Sequence, residues 1–404
     1  MKLVPIPNDM YNEYKLDVML DCYKWDPQFC DNNTVAKYAL VLSEKEHEEL
    51  KLLTEKLIKE TTEAENFLNK NLKYTKALEI PNKFRSDIKS MKNYNPDKHI
   101  RLMRFDFHPT LENKWAVSEV NSDVPGGFAE ATLMNRKSLE YLSNENYYAI
   151  SFGDFLADAI KKKVRQGGRI MLVHCTSYSD DRQVMQFLGD KLSSIGYEVI
   201  YAAADQLKFE NGKAISILNN REGEVDGIIR FSPLEWVANM KTKNWHGYFD
   251  TETVSCNHPI AIFAQTKRFP FVWDLLESKG IDLSTWRKLL PETLEVNDKK
   301  VDDKFIYKPV YGRVGENISI KEACKDDEYK KILEDVKRHP KKYLAQKKFN
   351  SRPLTNEHGE EFHVCIGSYG VENSHAGYYA RISRSPRIDS YAADIPVLIE
   401  KEGV

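Results

Sequence analysis

Residues Arg101–Glu130 (RLMRFDFHPTLENKWAVSEVNSDVPGGFAE) constrain this chain more tightly than any other stretch. Arg101–Phe107 and Trp115–Asn121 each alternate charged or polar residues with apolar ones, the period of a half-buried strand. A turn separates them, so the pair reads as a β-hairpin. With Glu112-Asn113 as a two-residue loop, Leu111 faces Lys114, Asp106 faces Glu119 and Arg104 faces Asn121. Two acids opposite each other on a ladder repel. A hard divalent cation with oxygen ligands resolves that conflict, and magnesium is commonly held by one or two carboxylates together with phosphate oxygens and water. Asp106, Glu119 and Asn121 are therefore the candidate metal ligands, with Arg104 beside them.

Composition narrows the partners. A net charge of −2 over 404 residues offers no basic footprint for nucleic acid, so an anion site has to be local. No run approaches the roughly 18–20 apolar residues of a membrane span. The N-terminal MKLVPIPNDMYNEY lacks the apolar core of a secretory signal. Six scattered cysteines (Cys22, Cys30, Cys175, Cys256, Cys324, Cys365) show neither CxxC pairs nor metal-ligand spacing and read as reduced thiols. The expectation is a cytoplasmic protein without membrane or nucleic-acid partners.

Around the hairpin the chain reads as three parts. Residues 1–150 are rich in helix formers and contain the hairpin. Ser43–Asn71 is an amphipathic helix capped by Ser43, with an apolar stripe of Leu50, Leu53, Leu57, Ala64, Phe67 and Leu68, and Ala129–Leu142 is a second helix. Residues 151–265 change texture. RIMLVHC, the helix Asp180–Ile195 and YEVIYAA form a βαβ unit, followed by a hairpin over Gly212–Gly223 and a strand at Asp226–Phe231. Its first turn lacks GxGxxG, which argues against a dinucleotide fold. Residues 266–404 read as α+β with a mostly antiparallel sheet: helices at Pro270–Ser278, Leu283–Leu290 and Asp326–Arg338, and strands at Lys304–Val310, Tyr343–Phe349, Glu360–Gly367 and Ala376–Ser383.

A second constellation lies in FIYKPVYGRVGEN (305–317). Lys308 sits near the end of a strand, and Arg313 follows between Gly312 and Gly315. Glycines let successive backbone N–H groups close on an anion. Lysine adds a point charge for phosphate and arginine a planar fork. The Walker pattern GxxxxGK[ST] is absent. Tyr343–Phe349, with Gln346 at its centre, is a candidate for the strand that hydrogen-bonds an adenine edge. No nucleophile–histidine arrangement is visible, and His108, His174, His258 and His363 stand alone.

These pieces together resemble the synthetase domain of glutathionylspermidine synthases, a circularly permuted ATP-grasp family. The likeness rests on Arg104-Phe105-Asp106, then Glu119-Val120-Asn121 with Asp123 and Pro125, then Lys308-Pro309 and Gly312-Arg313-Val314-Gly315-Glu316-Asn317. FSPLEW (231–236), HPIAIFAQTKRF with Lys267, and GYYARIS with Arg381 echo further segments in the same order. The resemblance implies an α+β / α/β fold, a permuted ATP-grasp with an inserted small α/β, pre-ATP-grasp-like domain. It implies ATP and Mg2+ as cofactors, and a small-molecule or peptide carboxylate and an amine as reaction partners. It assigns Lys267, Lys308, Gly312, Gly315, Asn317 and Gln346 to the nucleotide, Asp106, Glu119 and Asn121 to magnesium, and Arg104, Arg313 and Arg381 to the transferring phosphoryl group and the tetrahedral intermediate. The loop Gly312–Asn317 would cover the site and exclude water. The implied reaction joins a carboxylate to an amine through an acylphosphate, releasing ADP and phosphate. One departure stands out: after Asp123 the chain reads Val-Pro-Gly-Gly, where Ser or Thr is expected near the acyl substrate. That leaves a ligase of the same fold acting on another peptide or carrier-bound acyl group as the alternative. A non-catalytic nucleotide-binding protein is the third reading, disfavoured because the acids and cations are all retained. A homodimer is compatible with the sequence.

Overall fold

The computed structural model describes residues 1–241, 244–313 and 315–403; Val314, in the glycine loop, lies outside the described residues. The hairpin forms from Leu102–Pro109 and Trp115–Asn121, with Asp106 opposite Glu119 and Arg104 opposite Asn121. The turn differs from the two-residue loop expected. Thr110, not Leu111, faces Lys114: the Lys114 carbonyl accepts from Thr110 N at 2.9 Å, Asn113 N donates to Thr110 O at 3.0 Å, and Asn113 is left-handed (φ +56°). This is a three-residue hairpin loop. A β-bulge between Asp106 and Phe107 then absorbs one residue, so that Phe107 pairs with Val117 and Ser118 is the extra residue. The bulge restores the register at which the two acids meet.

The hairpin is one edge of an antiparallel sheet whose other strands come from the end of the chain. The order is Ala393–Ile395, Ser374–Ser383, Glu361–Val371, Leu102–Pro109, Trp115–Asn121. Gly367 pairs with Asp106, and a Cβ there would lie 2.6 Å from the Arg104 side chain, so glycine leaves room for Arg104 to lie across the strand. The helix Glu44–Lys70 packs against the same sheet. It starts at Ser43 through a capping box, in which Ser43 accepts from Glu46 N and the Glu46 carboxylate accepts from Ser43 N. Leu50, Leu53, Leu57, Ala64 and Leu68 are buried, and Phe67 packs at the margin. Ala129–Leu142 is helical as expected, but its first turn, Glu130–Met134, is a π-helix leading into Asn135–Leu142.

The first hundred residues are less helical than their composition suggests. Lys2–Pro5 and Tyr38–Ser43 are strands, and Tyr38–Ser43 runs parallel to Val397–Glu400. The βαβ reading is matched by Arg169–Val173, the helix Ser179–Ser194 and Glu198–Ala202. These join Gly227–Arg230 and Val254–Cys256 in a parallel sheet. The hairpin expected over Gly212–Gly223 is centred earlier: Leu207–Glu210 pairs with Lys213–Ser216 around Asn211-Gly212, and Gly223–Glu224 adds a third strand. Phe305–Pro309, Tyr343–Lys347 and Thr293–Leu294 form a small antiparallel sheet. Among the described residues no helix is long and apolar enough to cross a membrane.

Two buried ion pairs lock the base of the hairpin. Arg101 donates to Glu65 at 2.7 and 3.0 Å and to Ser122 O at 2.7 Å. Asp123 receives a two-pronged pair from Arg230 at the end of the parallel sheet, one contact at 3.1 Å, and its carboxylate also accepts from Leu234 N at 2.9 Å. Removing one partner of a fully buried pair strands a charge, whereas replacing both is far less costly. R230M should therefore destabilise the chain by about 3–5 kcal/mol in urea unfolding, and adding D123L should recover at least half of the loss. A cost near zero for R230M, or additive losses in the double variant, would contradict this role.

Candidate active site

A cavity of about 950 Å3 opens over the hairpin. Arg104, Asp106, Glu119, Asn121, Lys267, Lys308, Gly312, Arg313, Gly315 and Arg381 all line it, so ten of the twelve residues expected at the site share one chamber. Two do not line it. Asn317 is exposed. Gln346 is buried behind the site in a small pocket shared with Glu119, Lys267 and Trp286, and its amide donates to Thr293 Oγ1 at 3.1 Å. The backbone of Tyr343–Lys347 is also committed, because the strand pairs with a neighbour on each side. Lys348 and Phe349, just past it, are the part of this segment that reaches the cavity.

The acids are held by cations of different origin. Asp106 accepts from Arg104 at 2.8 and 3.1 Å and from the Asn121 amide at 3.0 Å. Glu119 meets Lys267 at 2.8 Å, and Lys267 also donates to Gly312 O at 2.6 Å, tying the acid to the glycine loop. Lys308 is buried, and among the described residues its one hydrogen-bond acceptor is the Ser118 carbonyl at 3.4 Å. Burial and the neighbouring Lys267 push its ammonium down to about 8, against the pull of Glu119. For Glu119, burial acts upward, but Lys267 and Lys308 outweigh it and hold the carboxyl at about 2. For Asp106, burial wins over Arg104 and the pKa rises. The wall thus carries more positive charge than its two carboxylates neutralise. It suits a polyanion that brings its own divalent ion, and the oxygen-only donor set of Asp106, Glu119 and Asn121 fits a hard metal.

The loop after the hairpin is shaped by contacts. Arg104 donates to Gly126 O at 2.8 Å and lies over the Tyr379 ring at 5.0 Å. Gly127 has φ +91°, and a Cβ there would lie 2.7 Å from that ring. Of the two glycines where Ser or Thr was expected, Gly127 is thus required by Tyr379. Across the cavity Arg313 donates to Glu235 at 2.7 Å and lies over Trp236, which gives the FSPLEW segment a function in holding the glycine loop.

Sequence reasoning missed the far half of the chamber. Lys24, Trp25, Asp26 and Phe29 line it from the N-terminal segment, Asp180 and Asp181 from the start of the helix Ser179–Ser194, and Glu130 and Asp394 from beneath. Trp25, Phe29, Tyr178 and Trp236 are exposed aromatics at this mouth. The available signal was Glu130, an acid on the apolar face of Ala129–Leu142.

The sequence matches the family profile "Glutathionylspermidine synthase preATP-grasp" over residues 20–400. No curated protein shows significant sequence similarity to the chain. Its fold is similar to that of a glutathione synthetase like-effector (GSS30) from Globodera pallida, at 12% identity and TM-score 0.62, covering 97% of this chain and 99% of that one. A putative gamma-glutamylcysteine synthetase from Methylobacillus flagellatus KT aligns with 81% of this chain and 86% of its own at 12% identity and TM-score 0.45.

Lys308 gives a test of the charged wall. With a pKa about 8 it is half-protonated at pH 8, and a bound polyphosphate favours the charged form. Polyphosphate binding at pH 8 should therefore take up about half a proton, seen as a dependence of calorimetric heat on buffer ionisation enthalpy. K308R, always charged, should bind without uptake. Buffer-independent heat from the wild type would contradict the arrangement.

Proposed function

The chain belongs to the glutathionylspermidine synthase preATP-grasp family, and we propose that it is an ATP-dependent carboxylate–amine ligase that forms an amide through an acylphosphate and releases ADP and phosphate. The fold in this reading is a circularly permuted ATP-grasp, in which the metal-binding acids precede the nucleotide lysines, with the parallel-sheet region as an insertion. The observation that carries the proposal is the shared wall: paired Asp106 and Glu119 surrounded by Arg104, Lys267 and Lys308 in one cavity.

Each residue has a chemical task. Lys267 and Lys308 hold the phosphates of ATP. Asp106, Glu119 and Asn121 hold Mg2+, which when bound neutralises charge on the β- and γ-phosphates. A carboxylate that held the metal would free its arginine or lysine for a phosphate oxygen. Arg104, Arg313 and Arg381 face the transferring phosphoryl group and the oxyanion formed when the amine attacks. Lys267, bonded to Gly312 O, couples nucleotide binding to the position of the glycine loop, which keeps water from the acylphosphate. A second reading changes only the acid: the ring of Tyr379 against Gly127 alters the wall next to Arg104, which favours an acyl donor other than glutathione, such as another peptide or a carrier-bound group.

With Mg-ATP, glutathione and spermidine, the chain should form ADP and phosphate only when both an acid and an amine are present. E119Q should lower that rate by about 10²–10³-fold or more. Formation of AMP, or turnover by E119Q near the wild-type rate, would contradict the mechanism.

A further inference from the structure

We propose that Glu130 is the catalytic base that takes the proton from the incoming amine, an inference that rests on the ligase reading. An alkylamine arrives at neutral pH as an ammonium ion, and its lone pair attacks only after a proton has left. The group that accepts it must border the cavity and keep a carboxylate oxygen free of other donors. Glu130 meets these conditions. It lines the cavity and is 7% exposed, and among the described residues its buried Oε2 has no hydrogen-bond partner. Buried carboxylates with a purely structural task are normally satisfied. Glu130 also sits in the π-helical turn Glu130–Met134, shortly after Gly126, whose carbonyl accepts from Arg104; such turns recur at functional sites.

The neighbours explain why this acid, and not another, is free to act. Lys24 Nζ lies 2.5 Å from Asp394 and 2.8 Å from Asp26, but 3.6 Å from Glu130, so most of its charge is spent elsewhere. Asp394 also accepts from Tyr379 OH at 2.6 Å and faces Arg381, and Asp26 accepts from Gln183 at 2.9 Å. Tyr369, Tyr379 and Cys22 complete the ionisable groups around Glu130. Burial first, then the charges of Asp394 and Asp26, raise its carboxyl to about 7 against the pull of Lys24. A base poised near the working pH is the efficient one.

The step balances. The ionised Glu130 takes one proton from R–NH3+. The neutral nitrogen attacks the acylphosphate carbonyl, forming the C–N bond as the C–O bond to phosphate breaks. The second proton leaves with the departing phosphate as HPO4²⁻, and Glu130 returns the first to water.

The test uses spermidine and E130Q. Glu130 is about half-protonated at pH 7, and a bound ammonium favours its charged form, so spermidine binding to the wild type should release about half a proton, measured calorimetrically in two buffers. E130Q should release none. With Mg-ATP and glutathione, E130Q should acylate spermidine at least about 100-fold more slowly. It should acylate hydroxylamine, whose neutral form dominates at pH 7.5, within about threefold of the wild-type rate. Folding is checked independently. Burial raises the folded carboxyl above its ordinary 4.5, so ionised Glu130 costs stability as pH rises toward 8; E130Q should melt no lower than the wild type there. Absence of proton release from the wild type, or equal spermidine turnover by E130Q, would overturn the assignment. ADP formation by the wild type with neither acceptor would count against the ligase reading, while proton release would still decide Glu130.

Discussion

Two carboxylates facing each other across a β-ladder set the terms for the rest of this structure. Asp106 and Glu119 cannot both stay ionised in a buried site without compensation, and the chain supplies it from far apart in sequence. Arg104 comes from the same strand, Lys267 from the segment before the helix Trp273–Ser278, and Lys308 from the strand Phe305–Pro309. Each cation is held in a geometry that a phosphate oxygen could equally satisfy. The electrostatic problem of the hairpin is thus also the binding capacity of the cavity.

That capacity depends on the sheet that joins the two ends of the chain. Because Glu361–Val371 pairs with Leu102–Pro109 and Ser374–Ser383 follows it, Tyr369, Tyr379 and Arg381 come to stand beside Arg104. The Arg230–Asp123 pair brings the parallel sheet against the same loop, and the next residues carry Glu235 to Arg313. The N-terminal segment then closes the far side with Lys24 and Asp26. One end of the chamber is cationic and suited to phosphates. The other is acidic and aromatic, with Glu130 between Lys24 and the Gly126-Gly127 loop that accepts from Arg104.

Local pattern and distant assembly were unequally legible. The capping box at Ser43, the stripe of the helix it starts and the strand alternation are short-range signals, and each element appeared near its expected place. The register of Asp106 with Glu119 came out correctly for an incomplete reason. The turn at Thr110–Lys114 is one residue longer than expected, and the bulge after Asp106 compensates. Motif spacing assembled ten site residues in one cavity but not Gln346, whose strand was expected to offer its backbone to an adenine edge and is instead paired on both sides. Lys24 and Asp394 had no local signature, because their meaning lies in one buried ammonium that Asp26, two residues on, shares with an acid from the far end of the described chain.

The central claim is that the paired acids of the hairpin bind a divalent ion together with the polyphosphate of a nucleotide. The most direct measurement is an anomalous-scattering map from crystals of the chain grown with Mn2+ and a non-hydrolysable ATP analogue. The expected result is manganese held by the carboxylates of Asp106 and Glu119, with phosphate oxygens facing Lys267 and Lys308. Manganese at another place in the fold, or nucleotide bound outside this cavity with Asp106 and Glu119 still paired to Arg104 and Lys267, would contradict it.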